Sequence, residues 1–335
     1  MPTPILSVSD LTVSFRTRKG TAEAVRGLSY DLMPGETLAI VGESGSGKSV
    51  SALALMGLLP TTATVDGTAT FDGNDLFTMK KEQRRKIRGG PMAMIFQDPM
   101  TAFNPVHTIG DQLSEAIRIH QPDVSKGDAL AEVEHLLRQV GVPEPGRRVH
   151  QYPHEFSGGM RQRAMIAMAI ANKPVVLLAD EPTTALDVTI QAQVMEVLAE
   201  AQEATGSAMI LITHDLGLVA GTADRVIVMY GGRSFEECAT RDVFYESRNP
   251  YTRGLLQSIP RLTDERGAAL SPIPGSPPSI VSMPKGCAFA PRCVHRTAVC
   301  EETSADWEQI DIGHWTRCHH HDELPSFDPR DEVDA

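Results

Sequence analysis

The chain has 335 residues, more than one hydrophobic core usually organises, so a large domain with a smaller appendage is expected. Hydrophobic residues make up 41% and charged residues 22%, which excludes global disorder. A formal net charge of −12 excludes non-specific coating of nucleic acid, which needs lysine and arginine to neutralise phosphates.

The opening run MPTPILSVSDL lacks a basic stretch followed by a long apolar one, so no secretory leader is expected. No apolar run reaches the roughly 18–20 residues that span a bilayer. A cytoplasmic chain that meets a membrane only through partners is therefore expected. Short β-rich apolar runs then alternate with helical patterns, which predicts a parallel sheet with crossover helices. The candidate strands are TLAIVG (37–42), AMIFQ (93–97), VVLLAD (175–180), AMILIT (208–213) and RVIVMY (225–230). The central ones are apolar almost throughout, as strands covered on both faces must be. The run ALALMGLL suits a buried helix, whereas Lys80, Lys81, Arg84, Arg85, Lys86 and Arg88 read as a solvated helix face. The stretch between Pro105 and Gly159 reads as mainly helical and interrupts the strand pattern, a helical insertion. Asp187 is placed to cap a helix carrying Val194, Met195, Leu198 and Ala201 at helical spacing, with Gly206 as its stop. Beyond about residue 235, Pro260, Pro272, Pro274, Pro277, Pro278 and Pro284 mark an extended segment. A cysteine-bearing stretch and an acidic end, DPRDEVDA, follow; the acidic end is expected to be disordered.

Residues 42–49, GESGSGKS, fit the phosphate-loop pattern between a predicted strand and a predicted helix, SVSALALMG. Gly42, Gly45 and Gly47 let the backbone curl so that its N–H groups face phosphate oxygens, and the helix N-terminus adds a favourable field. Lys48 brings a point charge to the β- and γ-phosphates, and the Ser49 hydroxyl can ligate Mg²⁺. VVLLADEP places Asp180 and Glu181 at the carboxyl end of a buried strand, where ligands bind in such sheets. Asp180 can hold Mg²⁺ through water, and Glu181 can polarise an attacking water. His214 follows another apolar strand, in position to sense a γ-phosphate. Gln97 follows AMIF and can reach Mg²⁺ or the attacking water. In SGGMRQR (157–163), Ser157 can cap the helix AMIAMAIA while Gly158 and Gly159 leave its N–H groups open. Two phosphate cradles in one chain suggest nucleotide held between two chains.

Together these segments resemble an ABC transporter ATPase over roughly residues 5–235. GESGSGKS resembles Walker A, VVLLADEP Walker B and SGGMRQR the signature motif. Gln97 matches the Q-loop, TALD (184–187) the D-loop, His214 the switch histidine and Phe15 the adenine-stacking aromatic. The resemblance implies a P-loop, RecA-like parallel α/β core with a helical subdomain near 105–160 and an N-terminal antiparallel β part, all within residues 1–235. Residues 236–335 then form a small cysteine-bearing extension. It also implies ATP held by Phe15, Gly42, Ser44, Gly45, Ser46, Gly47, Lys48, Ser49 and Val50. Ser157, Gly158 and Gly159 would come from a facing chain. Mg²⁺ would sit on Ser49, Gln97 and Asp180, with hydrolysis carried by Glu181, His214, Lys48 and Gln97. The signature departs from the commonest form: Phe156 stands for leucine and Met160 for glutamine, while Ser157, Gly158 and Gly159 remain.

Of the five cysteines, Cys238 stands apart and reads as a lone thiol; Cys287, Cys293, Cys300 and Cys318 gather after the Pro-rich segment. A cytosolic chain rarely keeps disulfides, so the group suggests metal, either zinc or an iron–sulfur cluster. The lack of CxxC pairs favours iron–sulfur. His319, His320 and His321 read as a solvated tract. NPYTRGLL (249–256), PIPGSPPS and the cysteine segment, with EPTTALDVTIQAQ and FQDPMTAFNP, resemble the dipeptide/oligopeptide importer ATPases, which are similar in carrying a 4Fe-4S cluster. The resemblance implies a peripheral subunit at the cytoplasmic face of the cell membrane, powering uptake of di- and oligopeptides. Its partners would be a second, related ATPase chain in a heterodimer, two membrane permease subunits and an extracytoplasmic peptide-binding protein, with no nucleic acid. Similar importers carry nickel or glutathione. A soluble ATPase acting on DNA or ribosomes fits less well, given the acidic balance and the lack of a second phosphate loop. A nucleotide-switched redox or metal sensor is a further alternative.

Overall fold

The computed structural model describes residues 3–18, 20–184, 186–259 and 272–324. Pro260, the acidic end and Ala185 of TALD lie outside the described residues. The described residues fall into two compact units, one from residues 3–5, Leu32–Glu36 and Thr78–Ile212, the other from Leu6–Asp31, Thr37–Phe77 and the described residues from Thr213 onward. Among the described residues no helix is long and apolar enough to cross a membrane.

The first unit is built on three parallel strands, Met92–Ile95, Val176–Asp180 and Ala208–Thr213, with Met94 opposite Leu178 and Leu178 opposite Ile210. Every residue of these strands is buried, which explains why their sequences carry no alternation. The expected strand 93–97 stops at Ile95, which frees Phe96 and Gln97 for a loop. Helices Ile109–His120 and Lys126–Gln139 occupy the stretch expected to be helical. Thr108 and Ser125 cap them by accepting from Asp111 N and Asp128 N. Helix Val188–Thr205 starts on Asp187, whose carboxylate accepts from Ile190 N, and ends on Gly206 in the left-handed region, as its sequence anticipates. Helix Lys81–Ile87 buries none of its side chains, so its basic face is solvated as expected.

The second unit contains the N-terminal antiparallel sheet, in the order Gly20–Leu32, Leu6–Thr17, Ala63–Phe71, Asn74–Asp75. Phe15 lies here, half-buried, opposite Ala63. The phosphate-loop strand, Thr37–Val41, runs parallel to Arg225–Tyr230, which pairs antiparallel with Arg233–Ala239. The cysteine-bearing extension then adds two more strands to this sheet. His314–Thr316 pairs with Arg233–Ala239, and Glu308–Asp311 pairs with His314–Thr316. An extension expected to be loop-rich thus shares a sheet with the phosphate-loop strand.

An aromatic group ties this unit together. The Tyr230 and Tyr251 rings lie 4.5 Å apart, Tyr230 and Phe235 5.4 Å, and Tyr251 and Phe289 5.2 Å. Such pairs contribute about 0.5–1.5 kcal/mol each beyond the area they bury. Cys238 is wholly buried in the same cluster, a core residue rather than a ligand.

Candidate nucleotide site and cysteine hollow

The phosphate loop leaves its strand at Gly42 and enters helix Lys48–Met56, whose Ala52, Ala54, Leu55 and Met56 are buried. Gly42 has φ 150°, and a Cβ there would stand 2.2 Å from the Met229 carbonyl oxygen, so no other residue fits without moving the neighbouring strand. Lys48 folds back into its own loop. Its Nζ donates to Gly42 O at 2.6 Å, Glu43 O at 3.0 Å and Ser46 Oγ at 3.5 Å. The lysine charge is therefore held by the carbonyls that curl the loop, at the mouth of the helix. Ser46 and Gly47 are buried, Ser49 and Val50 half-buried, Ser44 and Gly45 exposed.

The acidic cluster lies in the other unit. Asp180 is buried at the end of its strand and Glu181 follows it. Glu181 has φ 46°, a left-handed conformation that costs a non-glycine residue about 1–3 kcal/mol and recurs where a side chain must be aimed. Its N–H donates to Ile212 O at 2.8 Å, fixing that turn. Its Oε2 accepts from Thr184 Oγ1 at 2.7 Å and from Gln97 Nε2 at 3.1 Å. Two residues expected to act together, Gln97 and Glu181, are thus brought into contact across 84 positions. Thr184 is the additional partner that sequence reasoning did not assign. In the same unit Ser157 caps helix Gly158–Ile170 by accepting from Met160 N at 3.3 Å, leaving Gly158 and Gly159 at its first turn. Phe156, which stands for the usual leucine, is buried and anchors the motif as an apolar residue should. His214 is exposed, one residue beyond strand Ala208–Thr213.

In the second unit, Cys287, Cys293, Cys300 and Cys318 line one hollow together with Phe289, Arg317 and three histidines. Four residues separated by up to 31 positions converge as expected. The expectation of a closed metal centre is not met, however. Among the described residues no three His, Cys, Asp or Glu side chains stand close enough to hold a metal ion. Burial pushes the Cys318 thiol up to about 12 and also raises Cys287 and Cys293. Neutral thiols have no mutual attraction to draw them onto a point; only a bound cation offsets the repulsion of thiolates. His320 differs from the expected solvated tract, whereas His319 is exposed as that reading requires. His319 and His320 border the hollow, and His320 is bonded on both ring nitrogens, to Thr297 Oγ1 and Glu323 Oε2, each at 2.9 Å.

Sequence reasoning also missed two residues that touch the phosphate loop. Arg292 and Tyr251 meet at Glu43, with Tyr230 Oη accepting from Arg292, and no local pattern reveals them because they lie 249 and 208 positions from Glu43.

A glycine loop closing on a lysine between a buried parallel strand and a helix defines a P-loop nucleotide-binding protein. The family model described as ABC transporter matches residues 25–184, and that of the oligopeptide/dipeptide transporter C-terminal region matches residues 235–300. The dipeptide transport ATP-binding protein DppD of Bacillus subtilis is 55% identical over 299 residues, 89% of each chain. The oligopeptide transport ATP-binding protein OppD of Salmonella typhimurium is 51% identical over 296 residues, 88% of each chain. Among solved structures, a dimeric ATP-binding cassette in a post-hydrolysis state bound to ADP and Pi is 25% identical with TM-score 0.63, covering 70% of this chain and 99% of that one. The chain belongs to the ABC transporter family, in its oligopeptide/dipeptide branch.

Proposed function

We propose that this chain is the ATP-hydrolysing subunit of an importer for di- and oligopeptides, working peripherally at the cytoplasmic face of the membrane. The observation that carries the reading is the pairing, in one chain, of a complete phosphate loop with the C-terminal region matched to oligopeptide/dipeptide transporters. Lys48 and the loop N–H groups grip the β- and γ-phosphates, and Phe15 stacks on adenine. Ser49, Gln97 and Asp180 are the residues that would hold Mg²⁺, which would neutralise charge on the phosphates. Glu181, aimed by Gln97 and Thr184, takes the proton of the attacking water, and His214 senses the γ-phosphate. Ser157, Gly158 and Gly159 complete the pocket of a facing chain, which is a related ATPase in a heterodimer. Two membrane permeases and an extracytoplasmic peptide-binding protein complete the assembly.

The four cysteines are assigned to an iron–sulfur cluster on the resemblance of their segment to the oligopeptide/dipeptide importer ATPases and on the lack of CxxC pairs in their spacing. Their side chains line one hollow. Arg317 at the same hollow lowers the cost of ionising Cys287. A bound 4Fe-4S cluster would supply cross-links among Cys287, Cys293, Cys300 and Cys318, stabilising a loop-rich segment.

Affinity purification from detergent-solubilised membranes tests the reading, with companions and metal identified and peptide-stimulated ATP hydrolysis measured in reconstituted vesicles. Two permeases, a second ATPase, iron with acid-labile sulfide, and hydrolysis that rises with peptide are expected. An assembly that neither binds nor splits ATP overturns the proposal. Stoichiometric zinc without sulfide overturns the cluster assignment alone.

A further inference from the structure

Arg292 lies in CAFAPRC, immediately before Cys293, yet its side chain leaves the cysteine hollow and reaches the phosphate loop. Its Nη1 donates to Glu43 Oε2 at 2.5 Å and its Nη2 to Glu43 Oε1 at 2.9 Å, a two-pronged ion pair. The remaining donors are also engaged. Nε bonds Pro274 O at 2.8 Å, Nη2 reaches Ile273 O at 3.3 Å, and Nη1 reaches Tyr230 Oη at 3.2 Å. All five N–H groups of the guanidinium thus have acceptors, and the side chain is 5% exposed. Glu43 is held at its backbone as well, since its N–H donates to Tyr251 Oη at 2.9 Å.

Glu43 is the second residue of the phosphate loop. Its carbonyl accepts from Lys48 Nζ at 3.0 Å and from Ser46 N at 3.2 Å. A free carboxylate there would repel a triphosphate and leave the loop backbone unsupported. A fully bonded arginine removes both problems at once, and lysine cannot, because its single ammonium lacks the fork.

We propose that Arg292 is a positioning residue for the phosphate loop: by neutralising and fixing Glu43 it sets nucleotide affinity, so that the cysteine-bearing segment is felt at the ATP site. This rests on the reading that the loop binds ATP. The ion pair is intramolecular, and every guanidinium N–H of Arg292 is already engaged by a protein acceptor.

The test uses the full chain and displacement of a fluorescent ATP analogue. Binding by the parent protein tests the underlying reading; differences among variants test the role of Arg292. Arg292→Ala should weaken ATP binding on the order of tenfold or more, the cost of stranding one member of a buried charge pair. Its effect should fall on KM more than on kcat. Adding Glu43→Gln should restore most of the lost affinity, because the uncompensated charge is then gone. A merely structural arginine would not be rescued in this way. If Arg292→Ala does not fold, Arg292→Lys serves instead, with a smaller weakening that Glu43→Gln also relieves. Parental affinity in the arginine variants overturns the proposal, and so does a double variant as weak as the single one.

Discussion

Replacing Glu181 by glutamine separates its chemical role from its structural one. The Glu181 carboxylate receives two hydrogen bonds on Oε2, from Thr184 at 2.7 Å and Gln97 at 3.1 Å. A glutamine carbonyl oxygen can accept both, so the side chain keeps its aim and the backbone keeps its left-handed turn. What disappears is the ability to take a proton. A positioned general base contributes about 10²–10⁴-fold, equivalent to about 2.7–5.5 kcal/mol of transition-state stabilisation. Glu181→Gln should therefore bind Mg·ATP with parental affinity, melt within a degree or two of the parent, and turn over at least about a hundredfold more slowly. Binding is read by equilibrium dialysis and turnover by phosphate release from the reconstituted assembly. Parental turnover removes Glu181 from the base role. Lost binding together with a lowered melting temperature shows that its hydrogen bonds, not its basicity, are what matters.

Lys48→Ala should weaken ATP binding by more than about tenfold, since at least one charge-assisted phosphate contact is lost, each being worth about 1.5–3 kcal/mol; titration calorimetry on the folded variant checks it. At Gly286 an added Cβ would lie 2.3 Å from Cys300 O and 2.7 Å from the Glu301 carbonyl carbon, while Cys287 N donates to Cys300 O at 2.8 Å. Gly286→Ala must force those segments of chain apart, so the melting temperature should fall; parental stability would refute the packing argument. Burial raises the Cys238 thiol well above its ordinary value, so it stays protonated across neutral and mildly alkaline pH. Iodoacetamide at pH 8 should leave Cys238 unlabelled in the native chain and label it in guanidinium, as read by peptide mass spectrometry.

What was legible in the sequence was local. The phosphate loop is one continuous turn whose glycines, lysine and flanking strand lie within a dozen positions. Helix Val188–Thr205 carries its start signal, Asp187, and its stop signal, Gly206, at its ends. The buried parallel strands announce themselves by unbroken apolar runs, because sheets covered on both faces leave no polar side. The strand Glu308–Asp311 is the reverse case: three of its four residues are exposed, so neither alternation nor an apolar run marks it, and only pairing with His314–Thr316 makes it a strand. The four clustered cysteines were readable as a group, yet the hollow they line was not, since Phe235 and Asn249 join it from far along the chain. Arg292 was hidden for a related reason. An arginine between two cysteines invites a reading as a local counter-charge to thiolates, but its guanidinium finds a stronger partner in the carboxylate of Glu43. That choice follows from chemistry: a planar fork matches a carboxylate with two parallel bonds, and a thiol offers it none. The position of the phosphate loop therefore depends on a residue whose own placement is set by the aromatic packing of Tyr230 and Phe289 and by the carbonyls of Ile273 and Pro274.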